Sequence, residues 1–410
     1  MNKDRSKSAT ASSVSFTELE PFVRQQIQQL VQRMLDEEVA EFLGRDKYER
    51  GTAKRGYRNG YGRPRKLTLQ GGTIVVKRPR LRDVDERFES RLLPLFAKQT
   101  KEVRELLPKL YLHGLALGDF DLAVRGLLGD GAALSPGSLQ RLKTTWQAEY
   151  DQWRTRRLDD RKLVYAWADG IYVKAGLEKE KAAVLVIIGA MADGTKEVLA
   201  LTSGYRESKD AWADVLRDLR DRGLVAPKLL VADGNLGIWA AAAEVWPEVR
   251  EQRCWNHKIM NVRQRLPRRQ WEEARRVLST IPYAPTRAEA DHRRDQFAKR
   301  FAVYADAVQT LSRDWERMTS FYDFPEDHWI HLRTTNIVES PFASVRLRTD
   351  AAKRFKRVPN ATALIWKMLL VVEKRFHRLQ AEHRLVDVLN GRRFIDGHIV
   401  TERMQVEVAA

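Results

Sequence analysis

The spacing of apolar side chains divides the chain into helical and strand-like stretches before any residue is read for chemistry. Phe22, Ile27, Leu30, Val31, Met34, Leu35, Val39 and Phe42 recur at the intervals of one helix face. Thr17, with Glu20 three residues on, forms a capping box ahead of them, and Gly44 ends the run. Such a stripe serves either as a core face or as a dimer seam. Leu67–Leu69 and Thr73–Val76 then flank Gly71-Gly72, which predicts a small β-hairpin. From Lys101 to Trp153 three helical segments follow, the last opened by Ser135 with Pro136 at its first position. Short helices parted by Gly-containing turns suit a helix-turn-helix reader of DNA and, equally, a plain three-helix packing unit.

The texture then changes to apolar runs with short turns. RKLVYAWADGIYVKAG, AAVLVIIGAMADG and KEVLALTSG read as strands, followed by a helix from Ser208 to Arg222, the strand KLLVADG, the helix LGIWAAAAEVW and the strand REQRCW. A three-strand meander followed by alternating helix and strand is the order of an RNase H-like α/β domain. Residues 262–330 carry no strand signal, and Thr286 with Glu289 forms another capping box. Asn360 to Asn390 reads as one long buried helix stopped by Gly391.

Composition narrows the partners. In 410 residues, Lys+Arg 73 against Asp+Glu 55 leave a net charge of +18, which favours a polyanion because each phosphate neutralised releases counterions. Hydrophobic residues at 43% are enough for two or three cores. The single Cys254 allows no internal disulfide, which points to a reducing compartment, most simply the cytoplasm. The N-terminal residues 1–15 are rich in Ser, Lys and Thr, without the apolar core of a signal peptide, and no run of about 18 apolar residues appears that would span a membrane.

The candidate chemistry lies in acids at strand ends and in basic stretches. Asp169 closes LVYAWAD and Asp233 closes KLLVAD, each followed by Gly, where open α/β sheets hold ligands. An Asp-Gly after a strand is also ordinary turn chemistry, and Asp193 in MADGTKE reads that way. Two converging carboxylates repel unless a cation lies between them, and Mg²⁺ prefers such oxygen ligands. Glu339, in HLRTTNIVESPFASVRLRT, is the candidate third carboxylate of a two-metal site, ahead of Glu316, Glu326 and Asp327. Tyr48, Tyr57 and Tyr61 interleave with Arg50, Lys54, Arg55, Arg58, Arg63, Arg65 and Lys66, a texture of DNA-gripping loops and also of solvated linkers.

YAWADGIYVK, KLLVADGNLGIW, CWNHKIMNV, FYDFPEDHWIHLRTTNIVES and RLRT, in this order, resemble the bacterial insertion-sequence transposases of the mutator type, a branch of the DDE enzymes. GYRNGYGRPRKLTLQGG and KRPRLRD resemble the same family's DNA-binding region, so the likeness covers nearly the whole chain. It implies that Asp169, Asp233 and Glu339 are the catalytic, metal-holding triad for two Mg²⁺ ions, with Mn²⁺ able to substitute. Cys254 and His257 match the family's Cys-x-x-His signature, expected as a structural thiol and a histidine bonding near the site rather than a zinc centre. Phe342 stands where the family commonly has Asn. Arg346, Arg348, Lys353 and Arg354, with Lys356 and Arg357, are expected to face DNA phosphates.

The expected organisation is a tail over 1–15, an N-terminal helix with the basic, aromatic hairpin over 16–100, and a helix-turn-helix-like domain over 101–155. An RNase H-like catalytic domain follows in two parts, 160–262 and 331–395, interrupted by an all-helical insertion over 263–330, with a tail over 396–410. The implied partners are double-stranded DNA, both the element's terminal inverted repeats and the target, and a second copy of the chain; no membrane is implied, and the place of action is the cytoplasm, at the nucleoid. A structure-selective nuclease of RNase H type and a DNA-binding regulator derived from an inactive transposase are the alternatives. The first would cut without joining, and the second would do neither.

Overall fold

A computed structural model describes residues 19–47, 49, 56–70, 72–93, 100–101, 103, 112, 136–174, 182–204, 207–234, 236–351, 355 and 357–400. The Thr17 cap and most of the first two helical segments expected between 101 and 135 lie outside these residues. Contacts divide the chain into two units, residues 1–142 and 143–410.

In the first unit, α1 (Leu19–Leu43) ends where Gly44 takes a φ of +64°, a left-handed turn that glycine adopts without a Cβ penalty. The hairpin strands are longer than the apolar pattern predicts, β1 (Tyr57–Leu69) and β2 (Gly72–Arg82). Leu35 of α1 packs with Leu67, Ile74, Val76 and Leu93 into a small core. The free edge of β2 is closed by glutamines. The Gln32 amide accepts from Lys77 N at 2.8 Å and donates to Lys77 O at 2.9 Å, and Gln28 Oε1 accepts from Val75 N at 2.9 Å. The helix thus satisfies strand groups that would otherwise invite another strand.

Helix α2 (Pro136–Arg154), which starts at Pro136 as its place at a helix start predicts, begins in the first unit and continues into the second. The rest of the second unit follows it. Its centre is a sheet of β3 (Leu163–Val173), β4 (Ala182–Met191), β5 (Lys196–Gly204), β6 (Leu229–Ala232) and β7 (Arg250–Arg253). The spatial order is β5-β4-β3-β6-β7, with β3, β4 and β5 antiparallel and β3, β6 and β7 parallel. The β4–β5 turn uses Gly194 at φ +80°, and Asp193 Oδ1 accepts from Thr195 N at 3.0 Å. Asp193 is a turn residue.

One face of the sheet packs against α3 (Lys209–Asp221) and α4 (Leu236–Val245) through Ala166, Ala168, Leu185 and Ile187 against Trp212, Leu216, Ile238 and Trp239. Ser208 caps α3, accepting from Ala211 N. The other face of β3 meets helical chain. Tyr165 OH bonds His328 Nδ1 at 2.9 Å and Trp167 Nε1 donates to His331 O at 3.0 Å. Between β7 and residue 393 the described residues form helices and turns without a strand: α5 (Trp255–Gln264), α6 (Trp271–Leu278), α7 (Arg287–Arg300), α8 (Ala305–Ser312), α9 (Trp315–Thr319), α10 (Trp329–Leu332), α11 (Asn336–Ala351), α12 (Val358–Glu373) and α13 (Glu382–Leu389). The short pair β8 (Phe394–Ile395) and β9 (His398–Ile399) closes the unit.

Two expectations are corrected. Asp169 is not at the end of its strand, because β3 continues to Val173 paired with β4. The segment Asn360 to Asn390 is two helices, α12 and α13, not one. The break falls in KRFHRLQA, where the apolar stripe of α12 gives way to charge and Ala381 takes φ +49°. Gly391, at φ +76°, does end the second helix.

Candidate active site

Strand register brings the first two acids together. β3 and β6 run parallel with Trp167 opposite Val231. Asp169 lies two residues beyond Trp167, and Asp233 two beyond Val231, directly after β6 ends at Ala232. Alternation along β3 puts Asp169 on the face of Tyr165 and Trp167, the face covered by helical chain. Gly170, one residue on, faces the opposite way, where a Cβ would lie 2.1 Å from Glu207 Oε1.

The third acid comes from the covering layer. Helix α11 packs across β3, and Glu339 lies in its first turn. Trp255 N donates to Arg333 O at 2.9 Å and Asn256 Nδ2 donates to Asn336 Oδ1 at 3.1 Å, so the start of α5 is fastened to the approach to α11.

Electrostatics show that the acids sense one another. Burial pushes the Asp169 carboxyl up to about 7; Gly170 N, which donates to its Oδ1 at 2.8 Å, opposes this, and the Glu339 and Asp233 carboxylates add to it. His257 is held up to about 9, by the Cys254 sulfur first and then by Glu339 and Asp233, against the effect of burial. Its Nδ1 lies 3.8 Å from Glu339 Oε1. At neutral pH an imidazolium therefore stands beside the acids and partly balances them.

Three carboxylates sharing one partly buried place suit a hard divalent cation, and the raised Asp169 carboxyl marks the charge such a cation would neutralise. Among the described residues, the trio of ligand atoms all within 4.8 Å of one another is Cys254, His257 and Glu339 rather than the three acids. Ions about 3.5–4 Å apart spread their outer ligands wider than that, so a looser acid set fits a pair of ions. The trio mixes a soft thiol with a carboxylate, and the thiol is fully buried, which suits Mg²⁺ poorly.

The remaining expected residues divide. Arg346 is exposed, two turns beyond Glu339 on the same side of α11. Arg63 and Lys66 are exposed on β1. The Arg58 guanidinium donates to Asp36 O at 3.5 Å and Arg45 O at 3.4 Å, which ties β1 to α1 and to the turn after it. The aromatic rings are similarly engaged, Tyr61 OH donating to the Asp36 carboxylate at 2.9 Å and Tyr57 lying under Arg45 and Arg82. Arg65 is half-buried. Arg55, Lys353, Arg354 and Lys356 lie outside the described residues, and only the backbone of Arg348 is described. Phe342 is fully buried, so the place of the family's Asn is core here.

Two residues that sequence reading missed complete the surroundings. Thr335, fully buried, bonds Glu339 Oε1 and lies 3.2 Å from Cys254 Sγ. Arg253 pairs with Asp314 at 2.9 Å and fills the space over Gly234, where a Cβ would lie 2.0 Å from its Nη2. A threonine four residues before a helical glutamate was the available signal for the first. Nothing in sequence marks the second.

The mixed five-stranded sheet, with acids from adjacent strands and a covering helix, is compatible with an RNase H-like core. The chain belongs to the mutator family of transposases, whose family model matches residues 2–380. It is 41% identical over 297 residues, 72% of this chain and 92% of the relative, to the transposase for insertion sequence element IS6120 of Mycolicibacterium smegmatis. It is 40% identical over 274 residues, 66% of this chain and 93% of the relative, to the transposase for insertion sequence element IST2 of Acidithiobacillus ferrooxidans. With the transposase for insertion sequence element ISRM5 of Rhizobium meliloti it shares 27% over 374 residues, 89% of this chain and 91% of the relative. These likenesses support transposase function. Among the described residues no helix is long and apolar enough to cross a membrane.

Proposed function

We propose that this chain is a DDE-type polynucleotidyl transferase that cuts at the ends of an insertion sequence and joins them to target DNA. The observation that carries the reading is the parallel pairing of β3 with β6, which reaches Trp167 and Val231, two residues before Asp169 and Asp233, with the helix bearing Glu339 packed on β3. Asp169, Asp233 and Glu339 would hold two Mg²⁺ ions, or Mn²⁺ in their place. Bound there, the ions would lower the pKa of the attacking water or 3′-hydroxyl and neutralise charge on the leaving 3′-oxygen.

The rest is the work of side chains. Water attacks a phosphodiester at the element end and frees a 3′-hydroxyl, which then attacks a phosphodiester of the target; the acids orient each nucleophile, and no further general base is needed. Arg346 meets the phosphates beside the reacting one, and Arg63 and Lys66 grip the duplex of the terminal repeat. The helical stretch 263–330 acts as an insertion domain within the catalytic fold, and residues 16–155 supply the DNA-binding region. Two copies act together at two element ends, in the cytoplasm at the nucleoid.

Strand transfer on a fragment bearing the element end, with Mg²⁺, tests the reading. Wild type should cut and join, whereas Asp169→Asn should bind the end and do neither. Cutting without joining would favour a nuclease, and neither from wild type would favour a DNA-binding regulator. Full activity in the Asn variant would refute the site.

A further inference from the structure

The catalytic reading leaves unexplained a buried residue that touches Glu339 and the one cysteine of the chain. Thr335 O accepts from Glu339 N at 2.9 Å while its hydroxyl bonds the same residue's Oε1, so Thr335 holds Glu339 at both backbone and carboxylate. Thr335 N donates to Cys254 Sγ at 3.4 Å. Cys254 N in turn donates at 2.8 Å to the carbonyl of Ala232, the residue directly before Asp233. A continuous path of hydrogen bonds and chain therefore runs from one acid to another: Glu339, Thr335, Cys254, Ala232, Asp233.

We propose that Thr335 and Cys254 are positioning residues that fix the Glu339 carboxylate relative to Asp233 for metal binding. The inference rests on the transferase reading and assigns what aims its third acid. Proton accounting sets the direction of the bonds. The Thr335 hydroxyl has one hydrogen and two neighbours, and the carboxylate is the stronger acceptor. The hydroxyl donates to Glu339, and Cys254 Sγ, 3.2 Å from Thr335 Oγ1, is its other neighbour. The sulfur is engaged on both sides, accepting from Thr335 N and bonding His257. Cys254, His257 and Glu339 are thus a brace around one metal ligand and not a separate metal centre. Partners of this kind, one step removed from the metal, typically change metal affinity by about 10- to 100-fold when lost.

The test uses the full chain and Fe²⁺ with ascorbate and peroxide, which cuts backbone beside bound iron. Wild type should be cut near residues 169, 233 and 339. Thr335→Val, which replaces the hydroxyl by a methyl of similar size, should lose the cut near 339 and keep the other two. In the strand-transfer assay it should need about tenfold more Mg²⁺ for half-maximal rate. Thr335→Ser should restore both. If Thr335→Val melts well below wild type, Cys254→Ala takes its place, and weakening of the cut near 339 is the supporting result.

Equal cutting near 339 in wild type and Thr335→Val, or in Cys254→Ala where that variant is the one read, overturns the proposal and leaves the transferase reading standing. Wild type cut at none of the three places removes the metal site and the proposal together. A sulfur-to-metal charge-transfer band on adding Co²⁺ to wild type also overturns it, because the thiol would then be a ligand.

Discussion

Replacing Asp169 by Asn should stabilise the metal-free protein, and the gain should depend on pH. The carboxyl sits at about 7 in the fold against an ordinary value of 3.8, so the folded state disfavours its charge. The shift is upward, so the sign is the reverse of a salt-bridged aspartate. Below about pH 4 the group is protonated folded and unfolded, and costs nothing. Between about 4 and 7 folding must take up a proton, and the cost grows with pH; above about 7 it is complete. The rise from 3.8 to about 7, at about 1.4 kcal/mol for each tenfold in the proton equilibrium, gives about 4 kcal/mol as a ceiling. Part of the side chain meets solvent, so about 2 kcal/mol is a fairer expectation. Asn keeps the carbonyl that accepts Gly170 N and removes the charge. For a unit of this size the melting temperature should rise by about 4–8 °C at pH 8 and by almost nothing at pH 4. Differential scanning fluorimetry of both proteins in EDTA from pH 4 to 8 reads this directly. Adding Mg²⁺ at pH 8 should shrink the difference by stabilising wild type alone. A difference that is flat with pH, or an Asn variant less stable at pH 8, would refute the claim that Asp169 is buried among like charges.

Three other expectations follow from the structure. Arg58→Ala should lower the melting temperature of the N-terminal unit, at a cost of about 1 kcal/mol, and leave the salt dependence of end binding unchanged, whereas Arg63→Ala should reduce that slope by about one; a reduced slope for Arg58→Ala would return it to the phosphates. Leu30 is 52% and Met34 37% exposed on α1, so Leu30→Glu with Met34→Glu should yield monomers by light scattering while helix content is kept, and a persistent dimer would remove this face as a seam. Gly237→Ala should cost about 1–3 kcal/mol in urea unfolding, because its Cβ would lie 2.8 Å from the backbone of Ser208, and an unchanged midpoint would mean that α3 and α4 have room to part.

How much of this was readable in advance depends on whether the governing interaction is local. The sheet was readable because VLVII in β4 and LLVA in β6 are continuous apolar runs, the signature of strands covered on both faces. Asp169 and Asp233 were visible as charges that such runs do not need. Their meeting was not visible. It depends on β3 pairing in parallel with β6 across a whole meander and helix, and on the register of that pairing. The break between α12 and α13 was missed because helical periodicity in α13 resumes after KRFHRLQA, and a pattern that resumes resembles one that never stopped.

Arg58 and Thr335 mark the deeper limit. A basic residue among basic residues reads as a phosphate contact, and nothing in the sequence signals that Arg58 also reaches carbonyls of its own fold, those of Asp36 and Arg45. Thr335 is the converse. Its reach to Glu339 is a local four-residue step, but its significance comes from Cys254, 81 residues away. The Cys-x-x-His spacing, with only two such groups, reads as a structural thiol rather than a zinc ligand, but it does not say what the thiol holds. In the fold the sulfur meets a threonine. A residue type limits what a side chain is able to do, and the partner that the fold presents to it selects among those possibilities.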